Sequence, residues 1–309
     1  MGKYQIPIIF LSLLTLVLAL QNCSNNSEFA AIADSDGILN PNKTIVIGPP
    51  RPPGEPRKPG DGLVGKIYYL LNDSGSKDLS AQGFPDTMKD KNGVDVLFPE
   101  SVSSVNFMIA RGIQLEETVI MDQVFIPTFR FADGFTKLNG KIVKDQLGNS
   151  IIEAFAFELE GSLTKGNAMQ EGWHEMALLS DDGATLEGDL DGNGTYETML
   201  INNDGLHATK LKCSTFAVDF NNSTKIPIRL RYYQGPRHHI ALNLLFRKID
   251  NESDAAQDPR CDYEPVEADE WFNTYGNKSA DLVNSEYGEL VSRGWFPGEF
   301  SSLSNEVSQ

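Results

Sequence analysis

The chain has 309 residues and a formal net charge of −17, from 26 basic and 43 acidic side chains. Such an excess of acid repels nucleic acid and anionic lipid surfaces, and a composition that is 40% apolar excludes wholesale disorder. Binding of cations or of a basic partner stays open. Beyond the first 60 residues about 250 remain, enough for one large all-β domain or two small ones.

Residues 1–22 are predicted to be a signal peptide. Lys3 is the only charge before an almost wholly apolar run over residues 6–20, and about 15 apolar residues suit a signal-peptide core better than a bilayer span. Cys23 follows this run and resembles the cysteine of bacterial lipoprotein signals, which is diacylated and becomes the N-terminus. We therefore expect an outer-membrane lipoprotein. The alternative is an ordinary secretory signal that happens to contain a cysteine, in which case the protein is secreted.

Residues 23–60 are predicted to be a lipidated N-terminus and a tether. Residues 49–60 are dense in proline, which favours polyproline II, a semi-rigid spacer that extends about 3.1 Å per residue. A ligand for a proline-binding domain is the competing interpretation. The tether would hold a folded domain, residues 61–250, away from the membrane, and a C-terminal extension would follow over residues 251–309.

From Gly62 onward the pattern is that of short strands between turns. Residues 154–159, 227–233 and 240–246 alternate along the chain, and residues 64–70 and 119–131 are rich in β-branched and aromatic side chains. Helical periodicity is scarce. The sequence predicts an all-β fold, a β-sandwich or barrel of antiparallel strands, with an irregular C-terminal extension.

The cysteines predict one disulfide. If the chain is exported and Cys23 carries lipid, Cys213 and Cys261 remain as an even pair in an oxidising compartment. A bridge between them would attach the segment after the last predicted core strand to the barrel, and closing a loop of near 50 residues contributes about 4 kcal/mol. Two free buried thiols are the alternative.

An ordered series of motifs resembles the protective antigen 14 domain family. Residues 62–69 resemble its opening strand, residues 178–186 its strand that enters a Ser-Asp-Asp-Gly turn, and residues 201–207 its Asn-Asp-Gly-x-His turn. Residues 228–246 resemble its closing pair of strands. The resemblance covers about residues 62–250 and implies a β-barrel domain, which the family attaches to many unrelated activities.

The resemblance also implies a calcium site. In carbohydrate-binding members two consecutive aspartates bind Ca²⁺, which chelates sugar hydroxyls, and the matching residues here are Asp181 and Asp182. Adjacent carboxylates supply the oxygen ligands that a hard cation prefers. Those members add an asparagine from the loop before the last strand, a loop that is cationic in this chain; an Asx-type turn without metal is the alternative. The candidate ligand-binding residues are Asn203, Asp204, Arg237 and His238.

A second acidic loop lies at residues 189–197, which read D-x-D-x-N-G-x-x-E. These are the first nine positions of an EF-hand-type loop, but position 12 is Leu200 and the flanks look like strands. We predict a Ca²⁺ loop of modest affinity at a hairpin tip, sharing one face with the first acidic loop; an acidic hairpin turn is the alternative. The oxygen ligands would be Asp189, Asp191, Asn193 and Glu197.

No set of catalytic residues stands out in the sequence. His174 does not begin an H-E-x-x-H motif, and there is neither a G-x-S-x-G elbow nor a Cys/His nucleophile arrangement. We therefore predict that the chain is not an enzyme but a lipid-anchored adhesion module, whose Ca²⁺-assisted barrel recognises a glycan or a surface partner. The alternatives are an envelope assembly role without sugar binding, or a polymer hydrolase.

Aromatic clusters at residues 271–275 and 293–297 either pack on the barrel or form an exposed binding surface.

Overall fold

The computed structural model describes residues 44–47, 62–72, 87–97, 103–121, 123–130, 143–166, 169–235, 239–258, 261, 290, 292–298 and 300–301. The predicted signal peptide, Cys23, most of the predicted tether, Arg237, His238 and the aromatic cluster at 271–275 lie outside these residues. Within the described part of the chain, no helical segment has the length and apolar character that a membrane span requires.

The described residues form an all-β fold, which confirms the predicted fold class. The strands are β1 (Thr44–Ile47), β2 (Leu63–Tyr69), β3 (Thr87–Lys89), β4 (Asp95–Leu97), β5 (Ile113–Gln114), β6 (Thr118–Met121), β7 (Phe125–Arg130), β8 (Phe155–Thr164), β9 (Gly172–Asp181), β10 (Ala184–Gly188), β11 (Thr198–Asn203), β12 (Lys210–Phe220), β13 (Lys225–Gln234), β14 (His239–Lys248), β15 (Phe296–Pro297) and β16 (Phe300–Ser301). A short helix, α1, spans Val105–Arg111, and a 3-10 turn spans Glu252–Asp254.

The strands form two large sheets. The first sheet has the order β1-β6-β2-β8-β13-β10-β11, with β5 paired to β2 and β16 paired to β8. The second has the order β12-β9-β14-β15, with β7 paired to β14. The described pairs are antiparallel except β1 with β6, which is parallel. A separate small hairpin joins β3 and β4.

The period of two along the strands explains why the sheets face each other. In β8, Phe155, Phe157 and Leu159 are buried in the core, whereas Glu158 and Glu160 lie on the opposite face and are half-exposed. Strand β14 of the second sheet contributes Leu242 and Leu244 to the same core, as expected for antiparallel sheets with one covered face. The molecule is therefore a β-sandwich with its main core between the sheets.

The outer face of each sheet carries a smaller apolar cluster. Helix α1 covers part of the first sheet, where Val105 and Met108 pack with Tyr233. Sequence periodicity missed this helix because seven residues make only two turns; its start is fixed by Ser104, whose Oγ accepts a 3.2 Å hydrogen bond from the Phe107 N–H. On the second sheet, Trp295 packs beside the disulfide.

Some described strands lie outside residues 61–250, and one predicted run is divided between the sheets. Residues 44–47, assigned to the tether, form β1, and the extension predicted to be irregular contributes β15 and β16 to the two sheets. The run over residues 119–131 is two strands, since β6 lies in the first sheet and β7 in the second. Strands of two to four residues are too short to give a periodic signal.

The predicted disulfide is confirmed. Cys213 in β12 is bonded to Cys261, which follows the 3-10 turn, with 5.0 Å between the two Cα atoms. The segment after β14 is thereby attached to the outer face of the second sheet.

Candidate calcium and ligand site

Three connections between the sheets converge at one end of the sandwich. The chain crosses from β9 to β10 through Asp181 and Asp182, whose peptide bond is cis. It crosses back from β11 to β12 through residues 204–209, and again from the first sheet to the second between β13 and β14. The aspartate pair thus lies where all three connections meet.

Asp182 joins these connections through its carboxylate. Oδ1 accepts a 3.2 Å hydrogen bond from the His207 N–H, and Oδ2 accepts a 2.7 Å hydrogen bond from the Gly235 N–H. The side chain is 4% exposed. Burial raises the pKa of Asp182 well above its usual range, and the two N–H donors offset this only in part.

Asp181 is held by hydroxyl groups. Its Oδ2 accepts a 2.9 Å hydrogen bond from Thr209 Oγ1, and its main-chain carbonyl accepts a 2.5 Å hydrogen bond from the Tyr232 hydroxyl. Like Asp182, it is 4% exposed. The Thr209 hydroxyl thus helps to orient the Asp181 carboxylate, as the two N–H groups orient that of Asp182.

Close packing of side chains makes glycine necessary beside the pair. A Cβ atom at Gly183 would lie 2.4 Å from the Tyr233 ring and 2.8 Å from Asp204 Oδ1. A Cβ at Gly235 would lie 3.0 Å from Asp182 Oδ2. The Ser-Asp-Asp-Gly turn thus packs directly on the Asn-Asp-Gly turn, which explains why both motifs occur in one chain.

The side chains of Asn203 and Asp204 make contacts within the fold. Asn203 Nδ2 donates to Ser180 Oγ at 2.8 Å and to the Lys210 carbonyl at 3.0 Å. Asp204 Oδ1 accepts a 3.0 Å hydrogen bond from the Val105 N–H, at the first residue of α1. These side chains position the connections around Asp182, and any role toward a ligand stays a prediction.

The second acidic loop lies at the tip of the β10–β11 hairpin, as the sequence predicts. Asp189 accepts hydrogen bonds from the N–H groups of Gly192 and Gly194, both at 2.8 Å. Asn193 Nδ2 lies 3.1 Å from Asp191 Oδ2 and 2.5 Å from Glu197 Oε1. The carboxylates of the loop therefore lie close together.

Electrostatics favour the ionised form of two of these carboxylates. Partial burial opposes ionisation of Asp189, but the N–H groups of Gly194, Gly192 and Asn193 outweigh it and hold its pKa below the usual value. Hydrogen bonds from Thr195 and Asn193 lower the pKa of Glu197. The loop presents charged oxygen atoms at neutral pH.

The two acidic loops do not share one face, contrary to the expectation from their closeness in sequence. Asp182 precedes β10 and Asp189 follows it. The five residues of β10, at about 3.3 Å each, alone put roughly 16 Å between the two loops. A ligand at one loop is therefore not chelated by the other, and the two have separate roles.

The hairpin tip presents a donor set that fits calcium, and the aspartate pair presents a buried carboxylate that a cation would neutralise. At the hairpin tip, Asp189, Asp191 and Glu197 each offer a carboxylate oxygen, and these atoms lie within 4.8 Å of one another. At the aspartate pair, Asp182 is buried and makes no ion pair with any described residue. A buried carboxylate without a basic partner is costly in its charged form, and a bound cation would remove that cost.

Comparison with known proteins found similar solved structures only at low identity. No protein-family model matches the chain, and no curated protein matches its sequence. Similar solved structures include a PA14 sugar-binding domain from an RTX adhesin, with 16% identity, a TM-score of 0.37, and 61% of this chain and 90% of that chain covered.

Two further structures are similar at the same level. One is the epithelial adhesin 6 A domain from Candida glabrata in complex with Galb1-3GlcNAc, with 13% identity, a TM-score of 0.33, and 65% and 88% coverage of this and that chain. The other is the PA14 domain of the antifreeze protein MpAFP, with 11% identity, a TM-score of 0.27, and 71% and 94% coverage. These overlaps are too loose to assign a function.

Several residues of the site were not found by sequence reasoning. Thr209, Tyr232 and the N–H of Gly235 hold the aspartate pair, yet none belongs to a motif for metal or sugar binding. The glycine after Tyr232-Tyr233-Gln234 is a turn signal, but its partner is known only once the strands are paired.

Proposed function

We propose that this protein is a carbohydrate-binding adhesion module of the bacterial cell envelope, held at the outer membrane by lipid on Cys23, with Ca²⁺ at the Asp181–Asp182 pair. The observation that carries the proposal is the Asp182 carboxylate, which is buried at the meeting point of three connections and bonded only to neutral donors among the described residues. The chain has no predicted catalytic set, so we propose binding without catalysis.

The residues around the pair would prepare a ligand site. Thr209 orients the Asp181 carboxylate, and the N–H groups of His207 and Gly235 orient that of Asp182, so neither must reorganise when a cation binds. The ion would supply coordination positions for sugar hydroxyls. Leu206, which is 48% exposed beside this junction, offers an apolar surface for the carbon face of a sugar ring.

The hairpin tip would have a different role. The clustered carboxylates of Asp189, Asp191 and Glu197, with Asn193 as the predicted fourth ligand, suit a calcium ion that stabilises the hairpin. The hairpin tip lies at the other end of β10 from the aspartate pair. Removing its calcium ligands would therefore reduce the calcium-dependent stability and leave ligand binding at the aspartate pair intact.

Thermal unfolding tests the proposal. We expect Ca²⁺ to raise the midpoint over EDTA by several degrees, since a ligand at 100 times its dissociation constant stabilises by about 2.7 kcal/mol, and each kcal/mol moves the midpoint by roughly 2–4 °C in a chain of this size. A glycan panel added with Ca²⁺ should give a further rise for the sugars that bind.

Three variants separate the two loops. Asp182→Asn should remove the glycan response, Asp189→Asn should reduce the calcium response and keep the glycan response, and Asp250→Asn, which changes an exposed aspartate outside both loops, should behave as the parent. An absent Ca²⁺ shift contradicts both calcium sites. A Ca²⁺ shift without any glycan response indicates an envelope assembly role instead.

A further inference from the structure

We propose that residues 292–298 form a lid over the Cys213–Cys261 disulfide, and that a dithiol reductant reaches the bond only when this lid lifts. This segment, here called the C-terminal strap, contains β15. The inference is independent of calcium and of carbohydrate.

Burial is the first observation. Cys213 and Cys261 are each 6% exposed, and Trp295 of the strap is 1% exposed. All three belong to one apolar cluster on the outer face of the second sheet, which Leu245 of β14 also joins. The indole therefore packs in the same layer as the disulfide and screens it from solvent.

A polar clamp holds the strap in this position. Trp295 Nε1–H donates to Asp258 Oδ2 at 3.2 Å, and Arg293 Nη1 donates to Asp258 Oδ1 at 3.3 Å. Arg247 lies over the Trp295 ring at 5.3 Å from its centroid and pairs with Asp258 at 3.0 Å. The Asp258 carbonyl in turn accepts the Cys261 N–H at 2.8 Å, so the clamp and the disulfide share one short turn.

The strap is attached to the sheets by little backbone pairing. Strand β15 pairs with β14 through two residues, and β16, beyond the strap, is anchored in the main core by Phe300. Segments with so few ladder hydrogen bonds open locally at a lower free energy than that of global unfolding. We therefore expect the strap to lift while the rest of the sandwich stays folded.

The chemistry requires access to sulfur. A thiolate of the dithiol attacks one sulfur of the bridge, and the other sulfur leaves as a thiolate and takes a proton. The second thiol of the reductant, as its thiolate, then attacks the reductant sulfur of the mixed disulfide, and the remaining protein sulfur leaves as a thiolate and takes a proton. Cys213 and Cys261 are left as thiols, and the reductant becomes its cyclic disulfide. With the strap closed, Trp295 blocks the approach of the attacking thiolate.

The test measures the rate of native-state reduction. The full chain carrying Cys23→Ser is incubated with dithiothreitol, and samples are alkylated and weighed by mass spectrometry to count free thiols. We expect Trp295→Ala to be reduced at least about tenfold faster than the parent, because access controls the exchange rate. Trp173→Ala, the same change on β9 outside the strap, should be reduced within about twofold of the parent rate.

A second variant keeps Trp295 and disturbs only the contact between the strap and strand β14. A Cβ at Gly298 would lie 2.1 Å from the Phe246 ring, so Gly298→Ala should lift the strap and also accelerate reduction. If both variants are folded by circular dichroism and are reduced at the parent rate, the lid proposal is overturned. The proposal is equally overturned if hydrogen exchange shows that the strap amides of the parent protein stay protected while its disulfide is being reduced. If Trp295→Ala does not fold, the result for Gly298→Ala decides the question.

Discussion

His174 is a buried titratable side chain outside the candidate site. It is 1% exposed, its Nδ1 lies 2.9 Å from the Gly172 carbonyl, and the rings of Phe220 and Phe296 pack edge-on against it. Burial lowers its pKa, and Lys248 adds to this effect, while the Gly172 carbonyl and Asp219 oppose it. The folded protein therefore holds a neutral imidazole at neutral pH.

This imidazole predicts a pH dependence of stability. Because the folded pKa is lowered, the unfolded chain, with an ordinary histidine pKa of about 6.5, binds more protons, and stability falls as pH drops below that value. We expect urea unfolding between pH 7.5 and 5.5 to show a steeper loss of stability in the parent than in His174→Gln. The remaining histidines are common to both proteins, so their contributions cancel, and parallel pH profiles would contradict the prediction.

Single residues also show why the candidate site was only half predictable. Asp181, Asp182 and the hairpin ligands are adjacent in sequence and form local motifs. The groups that fix Asp182, by contrast, are separated from it by 25 residues at His207 and 53 at Gly235. Their convergence depends on which strands pair, and no local pattern encodes that.

At the scale of elements, the long strands were predictable and the short ones were not. Strands β8, β13 and β14 each have ten residues, and their alternating side chains mark which face enters the core. Strands β15 and β16 have two residues each, so neither alternation nor length distinguishes them from a loop. The aromatic run at 293–297 indicated packing only as one of two interpretations, and the buried Trp295 decides for packing.

Strand β16 gives a prediction about the C-terminal segment. Phe300 is 5% exposed in the main core, 6.3 Å from the Phe246 ring centroid, and its carbonyl accepts the Gly62 N–H at 2.9 Å. Phe300→Ala should therefore lower the free energy of unfolding by about 3–5 kcal/mol. Phe216→Ala, at a residue that is 44% exposed, should change it by less than about 0.5 kcal/mol.

Denaturant unfolding of the two phenylalanine variants checks this difference. Equal stabilities of Phe300→Ala and the parent would mean that β16 is a peripheral addition to the sandwich. A large loss would show that the last described strand belongs to the folding unit.

At the scale of the whole molecule, charge and the predicted lipid anchor make a joint prediction. A chain with a net charge of −17 is repelled by anionic lipid headgroups, so a membrane-bound population cannot be held by its protein surface. One acyl chain binds weakly and stable attachment needs more than one, which the proposed diacylated Cys23 would supply. Attachment should then resist high salt and depend on the cysteine.

We expect the exported protein to sediment with membranes, to remain there after a wash in 1 M salt (a screening length of about 3 Å), and to enter the detergent phase on extraction with a clouding detergent. Mass spectrometry of its N-terminus should show Cys23 carrying acyl groups, with residues 1–22 removed.

Cys23→Ala should leave the protein outside the membrane fraction, and Cys213→Ala is the matched control because it removes a cysteine and should keep the attachment. An unmodified Cys23, or release of the parent by salt alone, would mean that the protein is secreted and attached, if at all, through its folded domain.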